Sequence, residues 1–243
     1  MQEIEGIGLV IHDLVDGNSQ YIDDYLAIYN ELFPQYIRYA PVMRRRAEQV
    51  VDAFADEKWH QWLLVIHGKP VGIIGFLYNR KRNVGILMDF AIRPAWRNVQ
   101  HKEFSSLANL ALLLAMRQLV QDALGSGYPA PLCMAAEVEH TALLQKYFEY
   151  GYVEFPVEYY EPPYTPELAE VFGDKDKLDK IAFGKMYLGA FQIPGHPFNP
   201  KNPDIIKAVL FALLVDHYSL PVDHWLFLKI TQETPDWKDD LKS

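Results

Sequence analysis

The stretch Val84-Gly85-Ile86-Leu87-Met88-Asp89-Phe90-Ala91-Ile92-Arg93-Pro94-Ala95-Trp96-Arg97 decides how the rest of the chain is read. Its first nine residues are apolar apart from Asp89 and predict a β-strand, which Arg93-Pro94 ends. Beyond it, Leu107, Leu110, Ala111 and Leu114 recur at i, i+3, i+4 and i+7. That spacing predicts a long helix with one buried stripe, closed by Gly125-Ser126-Gly127. Upstream, Trp62–Ile66 and Val71–Tyr78 read as a hairpin around His67-Gly68-Lys69-Pro70, and Asn79–Asn83 is a polar turn. Downstream come a strand at Pro131–Val138 and a short helix at Thr141–Tyr150 closed by Gly151. A strand at Tyr152–Tyr160 follows, with Val153, Phe155, Val157 and Tyr159 on one face.

The ends of the chain extend the pattern. Gly8–Ile11 reads as a short strand. Tyr21–Phe33 is helical, with Tyr21, Tyr25, Ile28, Tyr29 and Leu32 on one side, and Pro34 stops it. Pro41–Ala55 reads as a second helix carrying Arg44-Arg45-Arg46, a solvated face. Ile181–Phe191 reads as a strand, and Pro194, Pro197, Pro200 and Pro203 mark a stiff connector. Asn202 is the expected cap of a helix over Ile205–Tyr218, and a short element is expected at Trp225–Ile230. The order β-α-α-β-β-β-α-β-α-β-β predicts an α/β fold, a mixed sheet covered by helices.

Half of the 243 residues are apolar and 23% are charged, enough for a sizeable core. A single cysteine, Cys133, excludes a disulfide framework. The acidic start lacks a basic leader, and the apolar runs are too short to span a bilayer; a cytoplasmic protein is expected. The net charge of −9 argues against generic nucleic-acid binding. Residues 38–102 nevertheless hold twelve Lys/Arg against five Asp/Glu, a local balance of +7 that suits an anionic partner. There is no phosphate-binding Walker loop, no His-Glu-x-x-His and no Gly-x-Ser-x-Gly. Asp216-His217 and Asp223-His224 read as helix-end residues, and no metal is expected.

Residues 60–160 resemble the GNAT (Gcn5-related N-acetyltransferase) superfamily. The resemblance rests on the hairpin, the strand ending Asp89-Phe90-Ala91-Ile92-Arg93-Pro94, the long helix, and Tyr147-x-x-x-Gly151-Tyr152. It implies a GNAT-like acyl-CoA N-acyltransferase fold over residues 1–192, with 193–243 as a C-terminal extension that packs on the domain or on a dimer partner. It also implies acetyl-CoA or another acyl-CoA as donor, its pyrophosphate held by the backbone between strand and helix. That segment maps to Phe90, Ala91, Ile92, Arg97, Asn98, Val99, Gln100, His101 and Lys102. The family's turn is Arg/Gln-x-x-Gly-x-Gly/Ala, whereas this chain has Gln100 and Lys102 where the small residues belong. Long side chains there would crowd a phosphate held on the backbone.

Acyl transfer needs a neutral amine, hence a base, and the departing thiolate benefits from a proton donor. The resemblance implies Tyr147 as that donor; a packing role for the ring is the alternative. Glu137 and Glu139, on one face of the strand by alternation, and Asp89, inside an apolar strand, are the candidate bases. Asp89 has two other readings, a partner for Arg93 or a solvent-facing position. His140 reads as a helix-start residue. The function implied is acyl transfer from acyl-CoA, or from acyl carrier protein, to the amine of a small molecule or peptide. The alternative is a noncatalytic GNAT-like binding or regulatory module.

Overall fold

The computed structural model describes residues 2–4, 6–50, 56–99, 104–162, 183–224 and 227–229. The chain is a mixed α/β protein that divides into two compact units. The first comprises residues 1–80 and 85–131, the second 81–84 and 132–243.

In the first unit, β1 (Gln2–Ile4), β2 (Leu9–Asp13), β3 (Glu57–Ile66), β4 (Lys69–Asn79) and β5 (Val84–Ile92) follow one another in space as in sequence. The pairs β1–β2, β2–β3 and β3–β4 are antiparallel, with Leu9 opposite Ile66, Asp13 opposite Trp62 and Glu57 opposite Asn79. A two-residue turn closes the β3–β4 hairpin: His67 and Gly68 have φ of 48° and 74°. Positive φ at both centres twists the turn to match the strands. β5 spans the residues expected. β3 begins five residues earlier than expected, because Glu57–Gln61 continue the ladder with Gly75–Asn79.

Helix α1 (Ile22–Leu32) packs on β3 and β4 and buries Tyr25, Ile28 and Tyr29, the face its spacing predicts. A 3-10 turn over Pro34–Tyr39 leads to α2 (Ala40–Glu48). That helix is shorter than expected, because Gln49 is extended and stops it; residues 51–55 lie outside the described residues. Helix α3 (Leu107–Gly125) buries Leu107, Leu110, Ala111 and Leu114, and Ser106 caps it by accepting from the Asn109 amide at 3.1 Å.

In the second unit, β9 (Gly184–Phe191) has β6 (Met134–Val138) as an antiparallel neighbour, Met134 opposite Phe191. β7 (Tyr152–Glu154) and β8 (Tyr159–Glu161) also pair with β9, antiparallel. The expected single strand over 152–160 is therefore two. Pro156 lacks an amide for the ladder, and the Val157 amide turns back to the Phe155 carbonyl at 2.8 Å. Val153 lies exposed rather than sharing a buried face with Phe155 and Tyr159. Helix α4 (Thr141–Glu149) precedes β7. Asn202 caps α5 (Pro203–Leu210), which continues as a π-helical segment over Phe211–His217 instead of the expected regular helix. Residues 227–229 are helical; the rest of Trp225–Ile230 lies outside the described residues.

Candidate functional site

Asp89 lies near the end of β5, half-buried and surrounded by the apolar sheet. Burial pushes its carboxyl up to about 6, while the Arg46 guanidinium acts in the opposite direction. It makes no ion pair or hydrogen bond among the described residues. Arg93 is not its partner: that guanidinium donates to Glu31 Oε2 at 2.8 and 3.0 Å and to the Pro70 carbonyl at 2.8 Å. Arg46 is held over the Trp59 ring at 3.4 Å and donates to Gln61 Oε1 at 3.2 Å.

Two tyrosines of α1 stand near Asp89. The Tyr25 hydroxyl is wholly buried and has no hydrogen-bond partner. A β-carbon added at Gly75 would stand 3.3 Å from both Asp89 Oδ2 and Tyr25 Oη. Glycine at that position of β4 avoids this tight contact. Burial, then the Asp89 charge, drive the Tyr25 and Tyr29 hydroxyls above the usual tyrosine range, so both remain protonated. Asp89 was legible as the one charge in an apolar strand. Tyr25 was not singled out, because a tyrosine on the buried face of a helix reads as core.

After β5 the chain turns through Pro94–Trp96. Ile92 is buried, Phe90, Ala91 and Val99 are half-buried, and Arg97 and Asn98 are exposed. The Arg97 Nε donates to the Ile92 carbonyl at 2.9 Å. Gln100, His101 and Lys102 lie outside the described residues. The start of α3 is the place where an anion would meet open amides. Two of those amides are taken: Leu107 donates to the Val99 carbonyl at 3.1 Å and Asn109 to Ser106 Oγ at 3.1 Å. The first turn therefore offers a phosphate fewer donors than a bare helix start.

The second unit holds the other candidates. The Glu137 carboxylate on β6 accepts from the Tyr159 hydroxyl and, at 2.7 Å, from the Tyr218 hydroxyl. Tyr218 also lies 3.0 Å from Glu161 Oε1. Burial and the neighbouring Glu161 charge push the Glu137 carboxyl up to about 8, against its hydrogen bonds. Tyr218 has one proton for two carboxyl groups, so the arrangement is best satisfied when one carboxyl is protonated and donates back. Glu139 does not join this cluster. β6 ends at Val138, and the exposed Glu139 carboxylate lies 3.5 Å from His140 Nε2. His140 sits at the start of α4 without a side-chain cap bond. Tyr147 is buried on α4, its ring 5.8 Å from Tyr152 and 5.3 Å from Phe191. Asp216 is paired with Arg82 at 2.8 Å. Among the described residues no cluster of His, Cys, Asp and Glu is arranged to hold a metal, and no helix is long and apolar enough to cross a membrane.

No family model matches the sequence, and no curated protein does. Solved structures do. An acetyltransferase assigned to the GNAT family from Bacteroides thetaiotaomicron is 16% identical at a TM-score of 0.45, covering 84% of this chain and 97% of that one. The PaiA N-acetyltransferase from Thermoplasma acidophilum, in complex with coenzyme A, is 11% identical at 0.44, over 76% and 98%. Tetrahymena GCN5 is 10% identical at 0.45, over 79% and 99%. Along most of its length, then, this chain is similar to acetyltransferases of the GNAT kind.

Proposed function

We propose that this protein is an N-acyltransferase that moves an acyl group from a thioester to an amine, with Asp89 as the base. The observation that carries the reading is the state of Asp89. It is a carboxylate on a sheet strand, without an ion pair or hydrogen bond among the described residues and raised to about 6 by burial against the opposing charge of Arg46. A base with that affinity is mostly ionised at neutral pH and still takes a proton readily. The amine nitrogen attacks the thioester carbonyl carbon. The C–N bond forms, the C–S bond breaks, the nitrogen's proton passes to Asp89, and the thiolate departs. The resemblance in sequence assigns the proton for that thiolate to Tyr147.

The donor in this reading is acetyl-CoA or a longer acyl-CoA. The partly occupied start of α3 supports a second reading of the donor side, in which the nucleotide end of coenzyme A is held weakly. Acyl carrier protein, whose acidic surface suits the basic 38–102 segment, then supplies the thioester. A chain that takes neither donor is a noncatalytic binding module.

The test is thermal unfolding with acetyl-CoA, a long-chain acyl-CoA and acyl-loaded carrier protein, followed by thiol release in the presence of amines. A bound donor at one hundred times its Kd adds about 2.7 kcal/mol of stability. Asp89→Asn is expected to lower kcat by about a hundredfold or more at neutral pH while leaving the donor-induced shift intact. No shift and no thiol release with any donor overturns the enzyme reading.

A further inference from the structure

We propose that Glu137, Tyr218 and Glu161 form a proton-operated latch that holds the end of the π-helical segment on β6 and β8 and releases it when the proton is lost. The inference is independent of the acyltransferase reading, and all of its residues belong to the second unit.

The latch is a row of oxygens that is one hydroxyl proton short. The Tyr218 hydroxyl lies 2.7 Å from Glu137 Oε2 and 3.0 Å from Glu161 Oε1. A phenol has one proton, so Tyr218 donates across only one of these two gaps. The other closes when a carboxyl is protonated and donates to the Tyr218 oxygen. Glu137 is placed to keep that proton. Its hydrogen-bond partners among the described residues are the neutral hydroxyls of Tyr159 and Tyr218, which are 0% and 4% exposed. A buried carboxylate without a cation is costly, and the neutral acid avoids that cost. In the closed latch Glu137 Oε2–H donates to Tyr218, Tyr218 donates to Glu161, and Glu137 Oε1 accepts from Tyr159.

Ionisation breaks the row. The proton leaves Glu137 for water, and the single Tyr218 proton then serves one of two like charges. β6 and β8 are both laddered to β9, so Glu137 and Glu161 stay with the sheet. Tyr218 follows the π-helical segment and is tied by bonds within its own stretch. Its amide donates to the Leu213 carbonyl at 2.8 Å, and the Leu220 amide to Leu214 at 2.7 Å. This end therefore gives way, and water reaches Glu137 in its place.

Other charged and titratable groups on these elements have their own contacts. The Tyr152 hydroxyl of β7 donates to the Ala136 carbonyl at 3.1 Å, and Glu154 is exposed. Tyr160, Lys185 and Lys229 all donate to Glu158. Tyr187 of β9 meets Thr141 at 3.1 Å, and Glu139 lies 3.5 Å from His140. Asp216 is paired with Arg82 at 2.8 Å and lies 3.6 Å from Lys81. His217 is the titratable neighbour of the latch, its ring 4.9 Å from that of Tyr218. Burial and the Glu161 charge raise Glu137 from 4.5 to about 8. The folded value being the higher, the latch is complete below pH 4.5 and is lost as pH rises through 8.

The test is hydrogen exchange of the full chain from pH 5 to 9.5, expressed as protection factors, which divide out the direct effect of pH on exchange. The Tyr218 and Leu220 amides report the latch, and the amides of β9 report unfolding of the unit. In the wild type, protection at Tyr218 and Leu220 is expected to fall up to about tenfold per pH unit towards pH 8 and to level off above it, the slope of one proton. At pH 8 these two amides are expected to be at least about tenfold less protected than those of β9. Glu137→Gln, whose amide donates to Tyr218 without a charge, is expected to abolish the slope and keep protection high. His217→Gln is expected to keep the wild-type slope. Tyr218→Phe is expected to lower protection at Leu220 about tenfold at pH 5, the value of one hydrogen bond, and much less at pH 9. Constant wild-type protection from pH 5 to 8, a slope that survives in Glu137→Gln or a slope that vanishes in His217→Gln overturns the proposal. So does a Tyr218→Phe effect of equal size at pH 5 and pH 9. Equal protection of the two amides and of β9 at every pH means that the segment leaves only when the unit unfolds, and it too overturns the latch.

Discussion

Replacing His60 with glutamine tests the electrostatics of the first unit most directly. His60 sits on β3 with its Nε2 2.8 Å from Asp122 Oδ2 and its Nδ1 2.5 Å from Asp13 Oδ2. Asp122, on α3, also accepts from Lys58 at 2.6 Å and from Gln118 at 3.0 Å. One imidazolium thus fastens β2 and α3 to β3. Burial opposes the charge on His60, but the two carboxylates prevail and raise it from 6.5 to about 9. The same contacts hold Asp122 below the ordinary carboxylate range against its own burial. Because the folded value is the higher one, the stabilisation is complete below pH 6.5 and is lost as pH rises through 9. The move from 6.5 to about 9 corresponds to about 3 kcal/mol. The assay is urea unfolding at a series of pH values, read by tryptophan fluorescence; Trp62 lies 6.2 Å from His60. The gap between wild type and His60→Gln is expected to be largest near pH 6 and to shrink by about 3 kcal/mol by pH 10. Taking the difference removes the titrating groups that do not touch His60. A gap independent of pH between 6 and 10 refutes the assignment of a charged, doubly paired histidine.

Three further outcomes follow from the same structure. Glu137→Gln is expected to stabilise the protein: its carboxyl is raised from 4.5 to about 8, so ionising it in the folded state costs stability progressively across that window. The variant's melting temperature should match the wild type's near pH 4 and exceed it by about 3 °C or more at pH 8. Gly189→Ala is expected to cost about 2–3 kcal/mol or more by denaturant titration, because a β-carbon there would stand 2.2 Å from the Val153 carbonyl oxygen and force β7 off β9. Ser106→Ala, which removes the cap of α3, is expected to cost about 1 kcal/mol in the same experiment.

Much of the architecture was legible because single physical rules governed it. The apolar run of 84–92 and the repeat of Leu107, Leu110, Ala111 and Leu114 each had one competing explanation at most. The break at Pro156 was hidden, since Val153, Phe155, Val157 and Tyr159 alternate as a strand should. Only the pairing with β9 shows that Phe155 donates to the Leu188 carbonyl at 2.9 Å and that the ladder then stops. The candidate site divides in the same way. Asp89 announced itself by being charged in an apolar run. What keeps Arg93 from pairing with it, the engagement of that guanidinium with Glu31, is set by residues 62 positions apart. The hydroxyl of Tyr25 carries no signature in one dimension, because being unpartnered is a property of surroundings. Glu137 and Glu139 illustrate the reverse error: period-two spacing put them on one face, and the strand ended between them.

The π-helical run at Phe211–His217 sets the phase of everything after it. An α-helical residue advances about 100° around the axis and a residue of the wider π turn less, so relaxing the seven-residue run to ordinary α-helix with no residue removed would swing Tyr218 well around the axis. The hydroxyl that now meets Glu137 and Glu161 would then point elsewhere, although its position in the sequence would not have changed. In a relative that has ordinary α-helix here, a one-residue gap inside this segment is therefore what keeps the tyrosine close to its present phase. Such a gap is a character of the molecule that substitution scores at position 218 would not register.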